Sequence, residues 1–236
     1  MDFFEEWGRN LENAKYLYAF LSEKEYVNQV FLSGTGPEEE KACRVLSKVS
    51  IERLVDCISR LSPKKEFSVA DIPMFSSLER AIIRVPELLE FADDGLSFDA
   101  LGYQLMQCAT QIAKKKYGEN QSKTAAFFSL VSITDTRPKM VHLTSLGKYL
   151  IPIPFPEKSE ILRKLLLRNA YLHCLIHKAA KGKVRYADTV ACVSQSTAVR
   201  RRGNVRELME FVLKGTKKEQ LLKRCSESSK KYRKKC

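Results

Sequence analysis

At 236 residues and 44% hydrophobic content, the chain is long enough for one large domain or two small ones and needs no disulfide staples to hold a core. Its apolar runs fall short of the roughly 20 residues that cross a bilayer, and Met1 to Arg9 opens on acids and aromatics rather than a signal peptide, so a cytoplasmic or nuclear protein without membrane contact is expected. The net charge of +13 turns attention to polyanionic partners.

In chain order, Asp2 to Leu32 reads as a helix, because Phe3, Phe4, Trp7, Leu11, Ala14, Leu17, Tyr18 and Leu21 recur at spacings of three and four. Ser33 to Pro37 breaks the pattern. Pro37 and the acids Glu38, Glu39 and Glu40 then start a second helix to about Leu61, since proline suits a first turn and acids suit the positive end of the helix dipole. Residues 62–76 contain Pro63 and Pro73 and read as a connector. Ser76 or Ser77 caps a helix from Leu78 to Phe91, with Glu79 in its first turn and Pro86 as a kink. Asp93-Asp94-Gly95 is a turn, and Ser97 with Asp99 opens a helix through about Thr110.

The polar stretch Lys114 to Thr124 passes into Ala125, Ala126, Phe127, Phe128, Leu130 and Val131, the pattern of a helix with an exposed front and a buried rear. Leu130 to Thr134 and Met140 to Thr144 alternate around Asp135-Thr136-Arg137-Pro138-Lys139, which reads as a hairpin with a basic tip. Thr144 or Ser145 caps a short helix through Leu150, and Pro152, Pro154 and Pro156 close the unit. Helix, turn, helix, helix and hairpin is the order of a winged helix. Such a unit lays a polar helix in the major groove and reaches phosphates with its hairpin tip.

Beyond Pro156 the pattern predicts a long helix over Ser159 to Lys178, a break at Gly182, a helix near Tyr186 to Ser194, and a further helix launched from Ser194 or Ser196. The last has a basic front, Arg200, Arg201 and Arg202, and an apolar rear of Val205, Leu208, Met209, Phe211 and Val212. The charge concentrates here: residues 1–162 hold 20 Lys and Arg against 23 Asp and Glu, whereas residues 163–236 hold 21 against 5. From Arg163 to Arg206 eleven basic residues meet a single acid, Asp188, within helical periodicity, which points to a folded basic surface rather than only a solubilising tail.

The fold class expected is therefore mostly α, with winged-helix or helix-turn-helix modules, a small β-hairpin wing and an N-terminal helical region. The expected domains are an N-terminal helical region over 1–61, a central winged-helix module over 62–156, a second helix-turn-helix-like module over 157–214, and a basic, flexible tail over 215–236. The seven cysteines are scattered and never spaced C-x-x-C, so neither a disulfide framework nor a zinc ribbon is indicated. Most are expected to be buried thiols, with Cys225 and Cys236 exposed in the tail.

Within the central module Asn120, Gln121, Ser122, Lys123 and Thr124 are the candidate base readers, since Asn and Gln bond adenine bidentately and Lys suits guanine. Lys114, Lys115, Lys116, Arg137, Lys139 and Lys148 are candidate phosphate contacts, where a point charge suffices. Arg200, Arg201 and Arg202 diverge around a helix, so one or two can meet DNA while the remainder pair with acids such as Glu207. Arg206 shares a face with Arg202 and joins the phosphate candidates. His173, Cys174 and His177 lie close in sequence, but a metal site needs a third ligand that the pattern does not offer, and His142 stands apart. No metal and no cofactor are expected. No phosphate-binding glycine loop, nucleophile elbow or Cys/His catalytic spacing occurs, and Gly34-Thr35-Gly36-Pro37 lacks the lysine of a P-loop.

Four stretches carry a resemblance: Ser77-Leu78-Glu79-Arg80, the helix Glu119 to Val131 with its aromatic end, the hairpin exit Leu143-Thr144-Ser145-Leu146-Gly147, and Thr197 to Arg202 with Val205 to Val212. Over about residues 76–213 the chain resembles the winged-helix DNA-recognition regions of bacterial type II restriction endonucleases and related defence proteins. The resemblance implies duplex DNA as ligand. It departs from the family in lacking a nuclease site, because neither Glu38-Glu39-Glu40-Lys41 nor Asp93-Asp94 supplies the spaced carboxylates and lysine that hold Mg²⁺.

The leading expectation is thus a sequence-selective recognition protein or subunit of a restriction or defence system, without catalytic residues of its own and working with a protein partner or as a homo-oligomer. RNA stays open as an alternative ligand. The competing readings are a helical scaffold that binds a protein or an RNA-containing partner, and a nuclease with an unorthodox site.

Overall fold

The computed structural model describes residues 50–60, 72, 74–167, 169–182, 184 and 195–226. The helix expected over Asp2 to Leu32, most of the one ending at Leu61, nearly all of the connector before Ile72, and the helix near Tyr186 lie outside these residues. The described chain falls into two compact units, residues 73–159 in one and residues 50–72 with 160–226 in the other. Helix is the main element of both, and no described helix is long and apolar enough to cross a membrane.

Helix α1 (Ile51–Arg60) belongs to the unit that contains the C-terminal helices. The central unit opens where Ser77 Oγ accepts the Arg80 backbone N–H at 3.3 Å. A π-helical segment, Arg80–Arg84, runs from there into α2 (Val85–Leu89). Pro86 has no N–H to return to the preceding turn, so the bend expected there takes the form of a widened turn just ahead of it. The turn at Asp93-Asp94 ends on Gly95, whose φ of +73° suits glycine. A Cβ there would lie 2.5 Å from the Val141 carbonyl oxygen. The bare backbone lets β1 (Leu96–Ser97) pair with the later hairpin.

Ser97 Oγ caps α3 (Phe98–Leu105) through the Ala100 N–H at 3.2 Å. The helix stops well before Thr110, because Met106 is extended, and Thr110 Oγ1 instead caps α4 (Gln111–Phe127) through the Ala113 N–H at 3.3 Å. Helices α3 and α4 cross at two glycines. A Cβ on Gly102 would come 2.0 Å from the Lys114 carbonyl oxygen, and one on Gly118 would come 2.1 Å from that of Phe98.

Strands β2 (Val131–Ile133) and β3 (Met140–Leu143) form the expected hairpin, paired antiparallel with Val131 opposite Leu143. β1 adds to the other edge of β3, giving the order β1-β3-β2. Thr144 Oγ1 then caps α5 (Ser145–Leu150) through the Gly147 N–H at 3.0 Å. Val85, Leu89, Leu101, Ala125, Phe128, Leu130, Val141, Leu146 and Leu150 fill the core between the helices and one face of the sheet. Each large member contributes about 1.5–3 kcal/mol on burial.

The prolines after Leu150 do not hold off helix. α6 (Phe155–Leu166) begins among them, since Pro156 sits in a first turn where its missing N–H is unneeded. The single long helix predicted over Ser159 to Lys178 is broken after Leu166, and Asn169 Oδ1 caps α7 (Ala170–Lys181) through the Leu172 N–H at 2.9 Å. α8 (Gln195–Leu213) matches the expected basic helix. α9 (Gln220–Ser226) stands where the sequence suggests a flexible tail. α7 packs on α1 and α9, and α8 packs on α9, around Leu54, Ile58, Leu162, Tyr171, Leu175, Leu208, Met209 and Val212.

Two cysteine expectations are corrected. Cys225 is buried, because α9 turns it inward with Leu221, and burial pushes its thiol up to about 11. Cys108, on the link between α3 and α4, is exposed. Cys174 is buried as expected, and burial raises its thiol despite the opposing charge of Lys178.

Candidate nucleic-acid interface

α4 starts at Thr110 rather than near Lys114, and its burial divides by face along the whole helix instead of into the expected polar front and apolar rear. Gly118, Gln121, Ser122 and Ala125 share the buried face, while Ile112, Lys116, Glu119 and Lys123, at i, i+4, i+7 and i+11, line the outer one beside Lys115, with Glu119 half-buried between its two exposed lysines. Ile112 is 83% exposed. The unbroken run of polar residues through 119–124 conceals this, because polarity alone does not tell which positions of the turn face the core.

The base-reading candidates are corrected accordingly. Gln121 is 0% exposed, and its Nε2 donates to the Ser77 carbonyl at 3.0 Å and to the Tyr117 hydroxyl at 3.2 Å. Ser122 and Thr124 are also buried, and Thr124 Oγ1 donates to the Asn120 carbonyl at 3.0 Å. These three side chains cannot reach a base edge. Asn120 is half-buried, and Lys123 alone of the five is exposed. The network around Gln121 is structural. Arg80 Nη1 joins it by donating to Tyr117 Oη at 3.1 Å and to the Leu105 carbonyl that ends α3 at 3.2 Å.

The lysines of α4 are largely balanced. Lys114 Nζ lies 4.3 Å from the centre of the Tyr103 ring, and Lys115 Nζ lies 3.2 Å from Asp99. Glu119 receives Lys116 on Oε2 at 2.8 Å and Lys123 on Oε1 at 2.5 Å. Partial burial pushes the Glu119 carboxyl up, but the two lysine hydrogen bonds and charges outweigh it and hold the group below its ordinary value.

At the hairpin tip, Thr134 Oγ1 accepts the Met140 N–H and the Thr136 hydroxyl, both at 2.9 Å, and Arg137-Pro138 is a cis bond. Arg137 and Lys139 are exposed there, with Lys139 3.8 Å from Asp135, and Lys148 is exposed on α5. The tip and the outer face of α4 therefore both offer cations, within a unit of nearly neutral sum: residues 73–159 hold 10 Lys and Arg against 9 Asp and Glu.

In the other unit Arg200 and Arg202 are exposed, while half-buried Arg201 donates from Nη1 to the Ile72 carbonyl at 2.6 Å. Burial first, and then the charge of Arg200, lower its pKa. Arg201 is thus corrected from phosphate candidate to a tie between α8 and the chain at Ile72. Arg206 is exposed and bonds Glu210 at 2.8 Å. Two further arginines hold helix ends, where unpaired carbonyls attract cations. Arg163 donates to the Val212 carbonyl at 2.8 and 3.2 Å and to that of Lys214 at 3.1 Å, and Arg224 donates to those of Ala179 and Ala180 at 3.1 and 3.0 Å.

His173 Nε2 lies 3.0 Å from the Ile58 carbonyl, and His177 is buried with no hydrogen bond to its Nδ1. Among the described residues no three His, Cys, Asp or Glu side chains are grouped to hold a metal ion. No protein-family model, curated protein or solved structure matches the chain.

Proposed function

We propose that the chain is a duplex-DNA-binding protein whose central unit is a winged helix, with α4 laid in the major groove and the hairpin tip of Arg137 and Lys139 on adjacent phosphates. The observation that carries this reading is the order of elements. A lead helix, β1, α3, α4 and the β2–β3 hairpin close a sheet in the order β1-β3-β2, with the outer face of α4 and the hairpin tip both cationic. That arrangement suits a helix in the groove flanked by a loop on the backbone. The C-terminal unit supplies the field, since residues 160–226 hold 16 Lys and Arg against 5 Asp and Glu.

The resemblance of four short stretches to the recognition regions of type II restriction enzymes favours a role as recognition protein or subunit in a restriction or defence system, acting at the nucleoid, or in the nucleus of a eukaryote, for a catalytic partner. Duplex binding by the intact chain, measured against salt, tests the reading. Affinity should fall steeply as salt rises, and a flat response refutes it. The competing scaffold reading draws on Phe91, 88% exposed, and Ile112, both apolar and on the central unit. Stable capture of a larger protein by a chain that binds no duplex would favour it.

A further inference from the structure

With the buried face of α4 excluded from any groove, the charged side chains left for readout on its outer line are Lys116, Lys123 and Glu119, and the last was not among the residues that the sequence suggests. We infer that Glu119 is the specificity-determining residue of the central unit and that it selects a C·G base pair, with Lys116 or Lys123 on the guanine. The inference rests on the winged-helix reading and deepens it.

A carboxylate facing DNA repels phosphates unless it meets a donor. The major groove offers donors at only two places, the N4 amino group of cytosine and the N6 amino group of adenine. Beside adenine N6 lies the N7 acceptor, which opposes a second carboxylate oxygen. Beside cytosine N4 an acceptor, O6 of the paired guanine, lies on one side only, and the other side is the C5–H edge. An acid on this face therefore favours cytosine.

Glu119 is prepared for that contact. Each of its oxygens takes one lysine, Lys116 at 2.8 Å and Lys123 at 2.5 Å, and each keeps a lone pair for another donor. The two lysines fix the carboxylate on the outer line and leave the trio one net positive charge, so it approaches the duplex without a repulsive field. Each ammonium retains two N–H groups. Guanine, the partner of the selected cytosine, presents the O6 and N7 acceptors that a lysine recognises. The trio thus carries both halves of a C·G complement. Duplex RNA has too deep and narrow a major groove to admit the helix.

Selection of duplexes from a random pool at near-physiological salt, run in parallel with the intact wild-type chain and with Glu119→Gln, tests the inference. The wild type should enrich one invariant C·G pair, and changing that pair to T·A in the selected duplex should weaken binding about tenfold or more. Glu119→Gln joins a donor and an acceptor on one amide, which suits adenine N6 and N7, so its consensus should shift from C·G to A·T at that position. Its partners are exposed lysines, so unchanged circular dichroism and melting should accompany the shift. A wild-type consensus without a C·G-dependent position, or the same consensus from Glu119→Gln, overturns the inference and leaves the DNA-binding reading intact. Failure of the wild type to retain any duplex overturns both.

Discussion

Replacing Gly118 with alanine should separate helix propensity from helix packing. The new methyl would sit 2.1 Å from the Phe98 carbonyl oxygen and 2.7 Å from the Gly102 nitrogen, both closer than the 3.0 Å below which something must shift. Neither obstacle is a side chain that can rotate away, so α3 and α4 must part. Overpacking of this kind costs about 1–3 kcal/mol or more, against a gain of about 1 kcal/mol from exchanging glycine for alanine inside a helix. A net loss of about 2 kcal/mol is expected. Gly203, inside α8, provides the control, because a Cβ there meets nothing within 4 Å. Gly203→Ala should stabilise by about 0.5–1 kcal/mol. Amide hydrogen exchange reads the two units separately, and the protected amides of α4 should exchange roughly 30-fold faster in Gly118→Ala. If Gly118→Ala protects α4 as well as Gly203→Ala protects α8, the close crossing is refuted.

Other substitutions test particular roles. Arg163→Met keeps the length of the side chain but removes the donors to Val212 and Lys214, so the end of α8 should lose about 1–3 kcal/mol of exchange protection. Gln121→Leu should alter stability while leaving any base preference unchanged, and a changed consensus would return Gln121 to the interface. In the native protein Cys108 should react with a thiol reagent well before Cys174 and Cys225, which a mass-resolved alkylation time course would show. Cys225 also sets a pH limit. Between its ordinary 9.0 and about 11 the unfolded chain releases the thiol proton while the folded chain keeps it, so stability is lost as pH rises through that window. The slope is at most about 1.4 kcal/mol per pH unit, and denaturant melts across that range would record it.

Where a feature depends on neighbours in sequence, the residues announced it. The caps at Ser77, Ser97 and Thr144, the turn at Gly95 and the alternation of the hairpin were all legible, because each needs only a hydroxyl, a glycine or a two-residue period within a few positions. β1 was not, since two residues are too few to show a period and its pairing depends on Val141, about 45 positions later. The break after Leu105 was hidden because Met106 to Thr110 contains neither glycine nor proline. The base-reading candidates failed because Asn120 to Thr124 are five consecutive positions, which wrap more than a full helical turn and cannot all face outward. The arginines were illegible for a related reason. Charge can be counted in a sequence, but Arg163, Arg201 and Arg224 donate to carbonyls 44 to 129 positions away.

Those tertiary ties change what the charge can do on the proposed reading. α4 has its lysines balanced by Asp99 and Glu119, and its unit is close to neutral, so that unit can select a site but holds phosphates weakly. The C-terminal positive excess must supply the grip, yet Arg163, Arg201 and Arg224 serve helix ends and the backbone, and Lys218 pairs with Asp56. On α8 this leaves Arg200 and Arg202 exposed, with Arg206 engaged by Glu210. Replacing Arg200 and Arg202 together by glutamine should therefore weaken binding to selected and unselected duplexes alike and lower the salt slope by about 2, roughly one for each phosphate contact. Glu119→Gln should do the reverse, changing the consensus and leaving the slope nearly as it was. A double arginine variant that retained the wild-type slope would move the grip away from α8.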